Sequence, residues 1–319
     1  MDDEQVEAAG GLSRRQVIVG LACGGAIVGV GVSAALRSLF PYFAISPAFR
    51  AARARAKPRI ERADAESRTA IDSGLAVVEE FFAAAQESTE AFADDVLGWY
   101  SKYSLIRGRH EEFLAESFRG HFFGPEELTE AMRKAVAAYV DQLDAIDGRM
   151  LADIRMDVAG LPLPSPLARL PAPDVQGRYR EICGRISGLT DTSLKGDVVR
   201  VVSDVIVESV VAMVAARMAA SATAVGGGAA SGWWTLGIGL VVGVIADQII
   251  AAAWDWAYDP RGKLVEMMRG KIDEVRRLVI EGEDGRPGLR RELERYADRR
   301  AVARRDAVLA LLTPVDGEA

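Results

Sequence analysis

Two carboxylates in uncharged surroundings are the residues whose spacing most suggests chemistry. Asp247 lies in an apolar run that ends at Trp254, and Glu208 lies in a Val- and Ala-rich run before it. A helical hairpin with its turn near Gly228 would bring them together, because they lie at similar distances from the turn. Neighbouring carboxylates in a poorly solvated site raise one another's pKa. A shared proton there would suit proton or cation movement, and a hydrogen bond between helices is the alternative role.

The two histidines form no recognisable catalytic or metal-binding motif. His110 opens the sequence His-Glu-Glu-Phe-Leu, in which Leu114 stands where the zinc motif HExxH requires a second histidine. A site built from His110, Glu116 and His121 would need further ligands that spacing does not identify. The chain also lacks a Ser-His-Asp set with a nucleophile elbow, a CxxC pair and a phosphate-binding glycine loop. We therefore predict no enzymatic activity, no catalytic residues, no cofactor and no metal site.

The composition favours a membrane protein with water-exposed helical parts. Half of the 319 residues are hydrophobic, and the net charge of −7 combines dense charged segments with two long uncharged stretches. The apolar content excludes a disordered chain, and the presence of only two cysteines excludes a disulfide-stapled secreted module. The acidic total argues against nucleic acid as a partner.

The first uncharged stretch, residues 16–36, is long enough to span a bilayer. Its 21 residues would rise roughly 30 Å as a helix. Two overlapping small-xxx-small pairs place glycines on one helix face and favour association with another helix in the membrane. These glycines are Gly20, Gly24, Gly25 and Gly29. We predict a short tail over residues 1–15 and a transmembrane anchor or signal anchor over residues 16–40.

The residues Ser13-Arg14-Arg15-Gln16-Val17-Ile18 resemble the twin-arginine signals that bacteria use to export folded proteins. This resemblance implies that the chain after the stretch is exported, with Val32-Ser33-Ala34 as a cleavage site if the signal is removed. Charge indicates the opposite orientation. Residues 37–62 carry seven Lys and Arg against one acid, and the positive-inside rule places such a segment in the cytoplasm.

Residues 41–160 are predicted to form a helical soluble domain. A heptad pattern of apolar residues from Ile71 to Tyr103 predicts one long helix with a narrow apolar stripe. A second helix is predicted from Pro125, where two glutamates favour the positive end of a helix dipole. Together the two helices would form a long hairpin or part of a bundle. A Pro-rich segment over residues 161–177 then predicts a stiff, extended linker.

The second hydrophobic region, residues 178–258, is predicted to be a hydrophobic helical hairpin or transmembrane region. Glycines at 226–228 indicate a turn, and aromatic residues at both ends of the following run are typical of membrane interfaces. These aromatics are Trp233, Trp234, Trp254, Trp256 and Tyr258, and a further small-xxx-small pair is Gly239 and Gly243. Arg217, Glu208 and Asp247 are the polar residues predicted within the membrane.

Residues 259–319 are predicted to form amphipathic, charged C-terminal helices. Apolar positions recur at helical spacing from Leu264 to Val279 and from Leu289 to Leu311. The arginines of the second helix alternate with acids, which is typical of a solvated face, with anionic lipid or an acidic partner as the alternative. The basic residues that follow Pro260 favour a cytoplasmic location.

Two membrane topologies remain open. With a hairpin in the second region, both basic segments lie in the cytoplasm. With a single span near residues 233–254, the twin-arginine resemblance places residues 37–205 outside the cytoplasmic membrane. We favour the hairpin because it places both clusters of positive charge on one side.

These features predict an all-α, membrane-anchored protein of a bacterial inner membrane. The function that they favour is a non-enzymatic scaffold or interaction protein. It would self-associate or dock a partner through the glycine-faced spans and the heptad helix. Its partners would be membrane lipid and either another protein or further copies of the chain. The alternative is a pore-forming or transport component that uses the hydrophobic hairpin and Asp247.

Overall fold

The computed structural model describes residues 46–103, 110–163, 165–186, 202–214, 259–283 and 285–313. These ranges are mostly helical, which confirms the all-α class. The helices are α1 (Pro47–Glu87), α2 (Thr89–Tyr103), α3 (His110–His121), α4 (Pro125–Val158), α5 (Pro166–Arg169), α6 (Ala172–Ile186), α7 (residues 202–214), α8 (Pro260–Ile280) and α9 (Leu289–Leu312). A short antiparallel hairpin, β1 (Gly282–Glu283) and β2 (Arg286–Pro287), joins α8 to α9.

Most of the two segments predicted to enter a membrane lies outside the described residues. The anchor at residues 16–40 lies outside them entirely, and of residues 178–258 only parts of α6 and α7 are described. Among the described helices, none combines the length and the apolarity needed to cross a bilayer.

The heptad stripe is buried, but it is carried by two helices instead of one. From Ile71 to Val96 all eight stripe positions are at most 4% exposed. These positions are Ile71, Leu75, Val78, Phe82, Ala85, Thr89, Phe92 and Val96. The helix is interrupted at Ser88, whose hydroxyl donates to the Ala84 carbonyl, while the Thr89 hydroxyl donates to the Gln86 carbonyl. Such side-chain bonds to the backbone compete with the helical pattern, and α2 continues the stripe after one residue.

The second predicted helix is confirmed as α4, which begins at Pro125. Each of its predicted apolar positions is at most 5% exposed: Leu128, Met132, Ala135, Tyr139, Leu143, Ile146, Met150 and Ile154. Its first turn is closed by Glu127, whose Oε2 accepts a hydrogen bond of 2.8 Å from the Gly124 amide. This contact is the acidic half of a capping box, so the local sequence determines where the helix starts.

The Pro-rich segment is more ordered than the extended linker expected at residues 161–177. It contains α5, and α6 begins within it at Ala172. Pro166 occupies the first turn of α5 and Pro173 the first turn of α6. Proline is compatible with these positions, because the first amides of a helix have no partner within the helix. Leu167 is fully buried, so the segment also contributes to a core.

The described chain divides into two compact units. Unit 1 contains the described parts of residues 1–62, 148–192 and 299–319, and unit 2 contains those of residues 63–147 and 193–298. Helices α1, α4 and α9 each contribute residues to both units. Unit 2 therefore includes residues that precede and residues that follow the second uncharged stretch, which is residues 218–246.

Five of the seven arginines of α9 are exposed or half-buried, as predicted for a solvated face, but two in its unit 1 part are buried. Arg304 is fully buried and Arg300 is 9% exposed. Both lie in the apolar stripe of α9, which continues from Leu293 through Ala297 to Ala307 at spacings of three and four residues. Because the guanidinium group stays charged, these positions introduce permanent positive charge into the core of unit 1.

In unit 2, α1 and α4 pack closely at a small residue. A Cβ atom on Gly74 would lie 3.1 Å from Tyr139 Cβ and 3.3 Å from the Ala135 carbonyl oxygen. One to two turns earlier on α1, the Ser67 carbonyl accepts a hydrogen bond from the Tyr139 hydroxyl. The Tyr139 ring also contacts the ring of Tyr296 on α9, with centroids 6.5 Å apart. Tyr139 thus contacts two neighbouring helices of unit 2.

We predict opposite effects of leucine at two helical glycines. Gly74→Leu should lower the free energy of unfolding by about 1 to 3 kcal/mol, because the side chain must displace Tyr139 or the α4 backbone. Gly270→Leu in α8 should raise it by roughly 0.5 to 1 kcal/mol, because no atom lies within 4 Å of its Cβ position. Denaturant unfolding followed by circular dichroism measures both, and equal effects would contradict the close packing.

Candidate functional site

Four ion pairs connect the acidic face of α1 and α2 to arginines of α8 and α9. We call them the ion-pair ladder. The pairs are Asp72–Arg290 at 2.7 Å, Glu79–Arg276 at 3.1 Å, Glu90–Arg269 at 3.4 Å and Asp94–Arg261 at 2.6 Å. As the acid number rises, the arginine number falls, so α8 is antiparallel to α1 and α2. All eight residues belong to unit 2.

The middle of the ladder contains hydrogen bonds to uncharged acceptors as well as ion pairs. Gln86 Nε2 donates to the Arg269 carbonyl oxygen at 3.0 Å, and Arg269 Nε donates to Thr89 Oγ1 at 3.2 Å. Thr89 itself is fully buried in the heptad stripe. The ladder is therefore joined to the apolar stripe at the break between α1 and α2, and it fixes how far α8 is shifted along these helices.

The pair nearest to the second uncharged stretch has the best geometry. Arg261 lies three residues after Tyr258, and its Nε and Nη2 donate to the two oxygens of Asp94 at 2.6 and 3.1 Å. Arg261 also lies 3.5 Å from Glu90. The hydrogen bond from Arg261 lowers the pKa of the Asp94 carboxyl, and the bond to Asp94 raises the pKa of Arg261. This fork holds α8 against α2 just after the predicted hydrophobic region of residues 178–258.

Asp259 determines where α8 begins. It is the residue before the helix, it has the left-handed backbone conformation with φ of 52°, and its Oδ1 accepts a hydrogen bond of 2.9 Å from the Gly262 amide. Pro260 follows in the first turn, where its fixed φ suits a helix. Asp259 and Pro260 thus start a helix of unit 2 directly after the predicted hydrophobic region of residues 178–258.

A further ion pair, outside the ladder, joins α4 to α7, the helix that precedes the uncharged stretch. Asp204 on α7 accepts a hydrogen bond of 3.1 Å from Arg133 Nε on α4. Val202, Ile206 and Val210 on another face of α7 are buried, whereas Glu208 is exposed. Asp204 and Glu208 therefore lie on a different face of α7 from its buried apolar residues. Both flanks of the uncharged stretch, α7 and α8, are thus attached to unit 2.

Of the predicted membrane residues, only Glu208 is described by the structure. Asp247, Arg217, the glycine pairs and the interfacial tryptophans and tyrosine lie outside the described residues. The predicted pairing of Glu208 with Asp247 therefore stays a prediction. Glu208 is exposed on α7, and no ion pair of its side chain is found in the described part of the chain.

His121 lies beside a serine and an aspartate, but the three do not form a nucleophilic arrangement. Asp95 Oδ2 lies 2.8 Å from Ser117 Oγ and 3.4 Å from His121 Nε2. The hydroxyl donates to the carboxylate and not to the imidazole, so the histidine is not placed to remove its proton. The His121 ring packs edge to face against Phe92, next to a cluster of phenylalanines. Among the described residues, no group of His, Cys, Asp and Glu is suited to hold a metal ion.

The ladder was missed by the sequence interpretation although all of its members are visible in the sequence. The acids beside the heptad and the arginines after Pro260 were assigned separately, to a soluble helix and to a membrane-flanking segment. The pairs join residues that are 167 to 218 positions apart. The available signal would have been opposite charges at spacings close to whole helical turns: the acids are 7, 11 and 4 residues apart, and the arginines of α8 are 8 and 7 residues apart.

No family model, no curated protein and no solved structure matches this chain.

We predict that the Asp94 pKa depends on Arg261. In Arg261→Gln the Asp94 pKa should rise toward the ordinary value, because the charged hydrogen bond is lost. The folded-state pKa of Asp94 is lowered, so its stabilising effect is present above the unfolded pKa and is lost as the pH falls through the lowered value. NMR titration of the Asp94 carboxyl tests this. Arg277→Gln, a change at an exposed arginine of α8, is the control and should leave the pKa unchanged.

Proposed function

We propose that this chain is a membrane-anchored helical scaffold of a bacterial inner membrane, and that the helices described above lie on one side of the bilayer. The observation that carries the proposal is the attachment of both flanks of the second uncharged stretch to unit 2. Asp204 before the stretch pairs with α4, and Arg261 after it pairs with α2. A bilayer cannot separate the helices of a packed unit, because the backbone groups and ion pairs of these helices would lose their partners or the surrounding water.

The attachment favours the hairpin topology over the single span. Residues 202–214 and α8 belong to one unit, so any crossings between them must be even in number. A single span near residues 233–254 would place α7 and α8 on opposite sides and break both ion pairs. With the hairpin, the basic residues after position 37 and those after Pro260 lie on the same side, which the positive-inside rule assigns to the cytoplasm.

The burial of the heptad stripe indicates which surfaces of the proposed scaffold remain for association. The heptad stripe is buried within the chain from Ile71 to Val96. We therefore propose that self-association or docking of a partner depends on the glycine faces of the spans more than on the heptad helix. Gly20, Gly24, Gly25 and Gly29 would allow two helix backbones to approach closely in the membrane, where packing drives association.

The topology is tested by labelling single cysteines in intact spheroplasts and in inside-out vesicles. Ala91→Cys on α2 and Gly270→Cys on α8 are exposed positions on the two sides of the stretch in sequence. In a Cys23→Ser background, both should react with a membrane-impermeant maleimide in inside-out vesicles and neither in spheroplasts. Cys183 is 1% exposed and provides the unreactive reference. Labelling of the two positions from opposite sides would overturn the proposed topology.

Self-association is tested by counting subunits with single-molecule photobleaching of the full-length protein in lipid nanodiscs. Replacing Gly25 and Gly29 together with leucine should shift the distribution toward monomers, because the larger side chains separate the helix backbones. Gly31→Leu, which lies outside the glycine pairs, is the matched control and should leave the distribution unchanged. An unchanged distribution in the double variant would exclude this glycine face as the contact.

A further inference from the structure

The two units carry opposite net charge. The described residues of unit 1 contain 16 Lys and Arg against 6 Asp and Glu, a net of +10. Those of unit 2 contain 15 Lys and Arg against 29 Asp and Glu, a net of −14. The overall charge of −7 therefore hides a strongly basic unit. Unit 1 includes the start of α1, the first described helix after the N-terminal uncharged stretch.

Part of the positive charge of unit 1 is compensated within the unit. Arg59 forms a fork with Asp157, with Nε and Nη2 at 2.8 and 3.2 Å from its oxygens, and also lies 3.1 Å from Asp153. Arg55 donates to the Asp157 backbone carbonyl. The hydrogen bond to Asp157 raises the pKa of Arg59. These two arginines face α4 and are occupied in holding α1 to it.

Three other cations of α1 form a separate exposed stripe. Arg50, Arg53 and Lys57 follow one another at spacings of three and four residues, which places them on one face of the helix. All three are exposed. The one ion pair found for them among the described residues joins Lys57 to Glu61 at 3.7 Å, and both side chains are more than half exposed. We call this set the basic stripe.

The basic stripe lies close in sequence to the N-terminal uncharged stretch. That stretch ends at Leu36, and α1 begins at Pro47. The ten residues between them reach at most about 35 Å when fully extended. If residues 16–36 cross the bilayer, the start of α1 is held within this distance of the lipid headgroups. The stripe begins at Arg50, three residues further along the helix, so its local concentration at that surface is high.

We propose that the basic stripe binds the anionic lipid headgroups of the membrane in which the chain is anchored. The inference rests on the proposed membrane anchoring and adds the surface and its lipid partner. Glycine-rich spans bind one another well but are only moderately apolar, and a polybasic segment beside a hydrophobic one is an established way to strengthen attachment. Unit 2 of a second copy is another acidic surface, and the test distinguishes it from anionic lipid.

The test uses the full-length protein with the Cys23→Ser change and a fluorophore on Ala54→Cys. Ala54 is exposed and lies between Arg50, Arg53 and Lys57 on the same helix face. The protein is reconstituted into vesicles of neutral phosphatidylcholine or of a mixture with anionic phosphatidylglycerol. A headgroup-attached spin label quenches the fluorophore when α1 lies on the bilayer surface.

We expect strong quenching in anionic vesicles at low salt, and loss of that quenching at high salt or in neutral vesicles. Replacing Arg50, Arg53 and Lys57 with glutamine should weaken the headgroup contact by roughly 100-fold, since each basic residue near an anionic surface contributes about fivefold. The matched control replaces Lys263, Arg277 and Arg286, which are exposed cations of unit 2, and should retain the quenching.

The outcomes separate this inference from the proposed anchoring. Equal quenching in neutral and anionic vesicles would overturn the inference, and so would quenching that survives the triple change in the stripe. In either case the anchoring still holds if an alkaline wash leaves the protein in the membrane. Release of the protein by that wash would overturn the anchoring itself. A fluorescence change that appears without anionic lipid and grows with protein concentration would assign the stripe to a second copy and would also overturn the lipid assignment.

Discussion

Burial of one narrow apolar stripe on each long helix is the constraint on which unit 2 depends. The stripe of α1 and α2, the stripe of α4 and those of α8 and α9 are each a few side chains wide. The helices can therefore cover one another only in a narrow range of rotations and shifts. Gly74 and Tyr139 show how tight this range is, because a methyl group on Gly74 would already press on the neighbouring helix.

Charge specifies this arrangement more than it stabilises it. The pairs of the ladder are largely exposed, and ion pairs at a protein surface contribute little individually. An acidic face opposite an arginine face nevertheless disfavours other shifts of α8, since these would leave like charges opposite each other. The pairs of Glu90 and Asp94 hold α8 beside α2 just after the predicted hydrophobic region of residues 178–258, and they connect the fold with the proposed topology.

The helices and their buried faces follow from the sequence, because a helical period and capping residues act over a few positions. The apolar stripes, the start of α4 and the all-α class were accessible in this way. The exceptions have local physical causes: Ser88 and Thr89 bond to the backbone and interrupt the long helix, and Pro166 and Pro173 start helices. Arg300 and Arg304 show a different limit, because residue type alone suggested an exposed face at positions that the period assigns to the core.

What the sequence determined by itself is where uncharged stretches, basic segments and acidic segments lie along the chain. What only the tertiary structure decided is which of them are partners. Asp94 and Arg261, 167 residues apart, form one fork, and the arginines that suggested attraction to a membrane surface in part neutralise the heptad helices. The physical reason is that helical periodicity is a short-range property, whereas the pairing of faces depends on how all the helices pack at once. The basic stripe on α1 is left exposed by the same selection, because the contacts with α4 are made on another face of α1. There Arg55 donates to the Asp157 backbone carbonyl, and Arg59 donates to the carboxylates of Asp153 and Asp157.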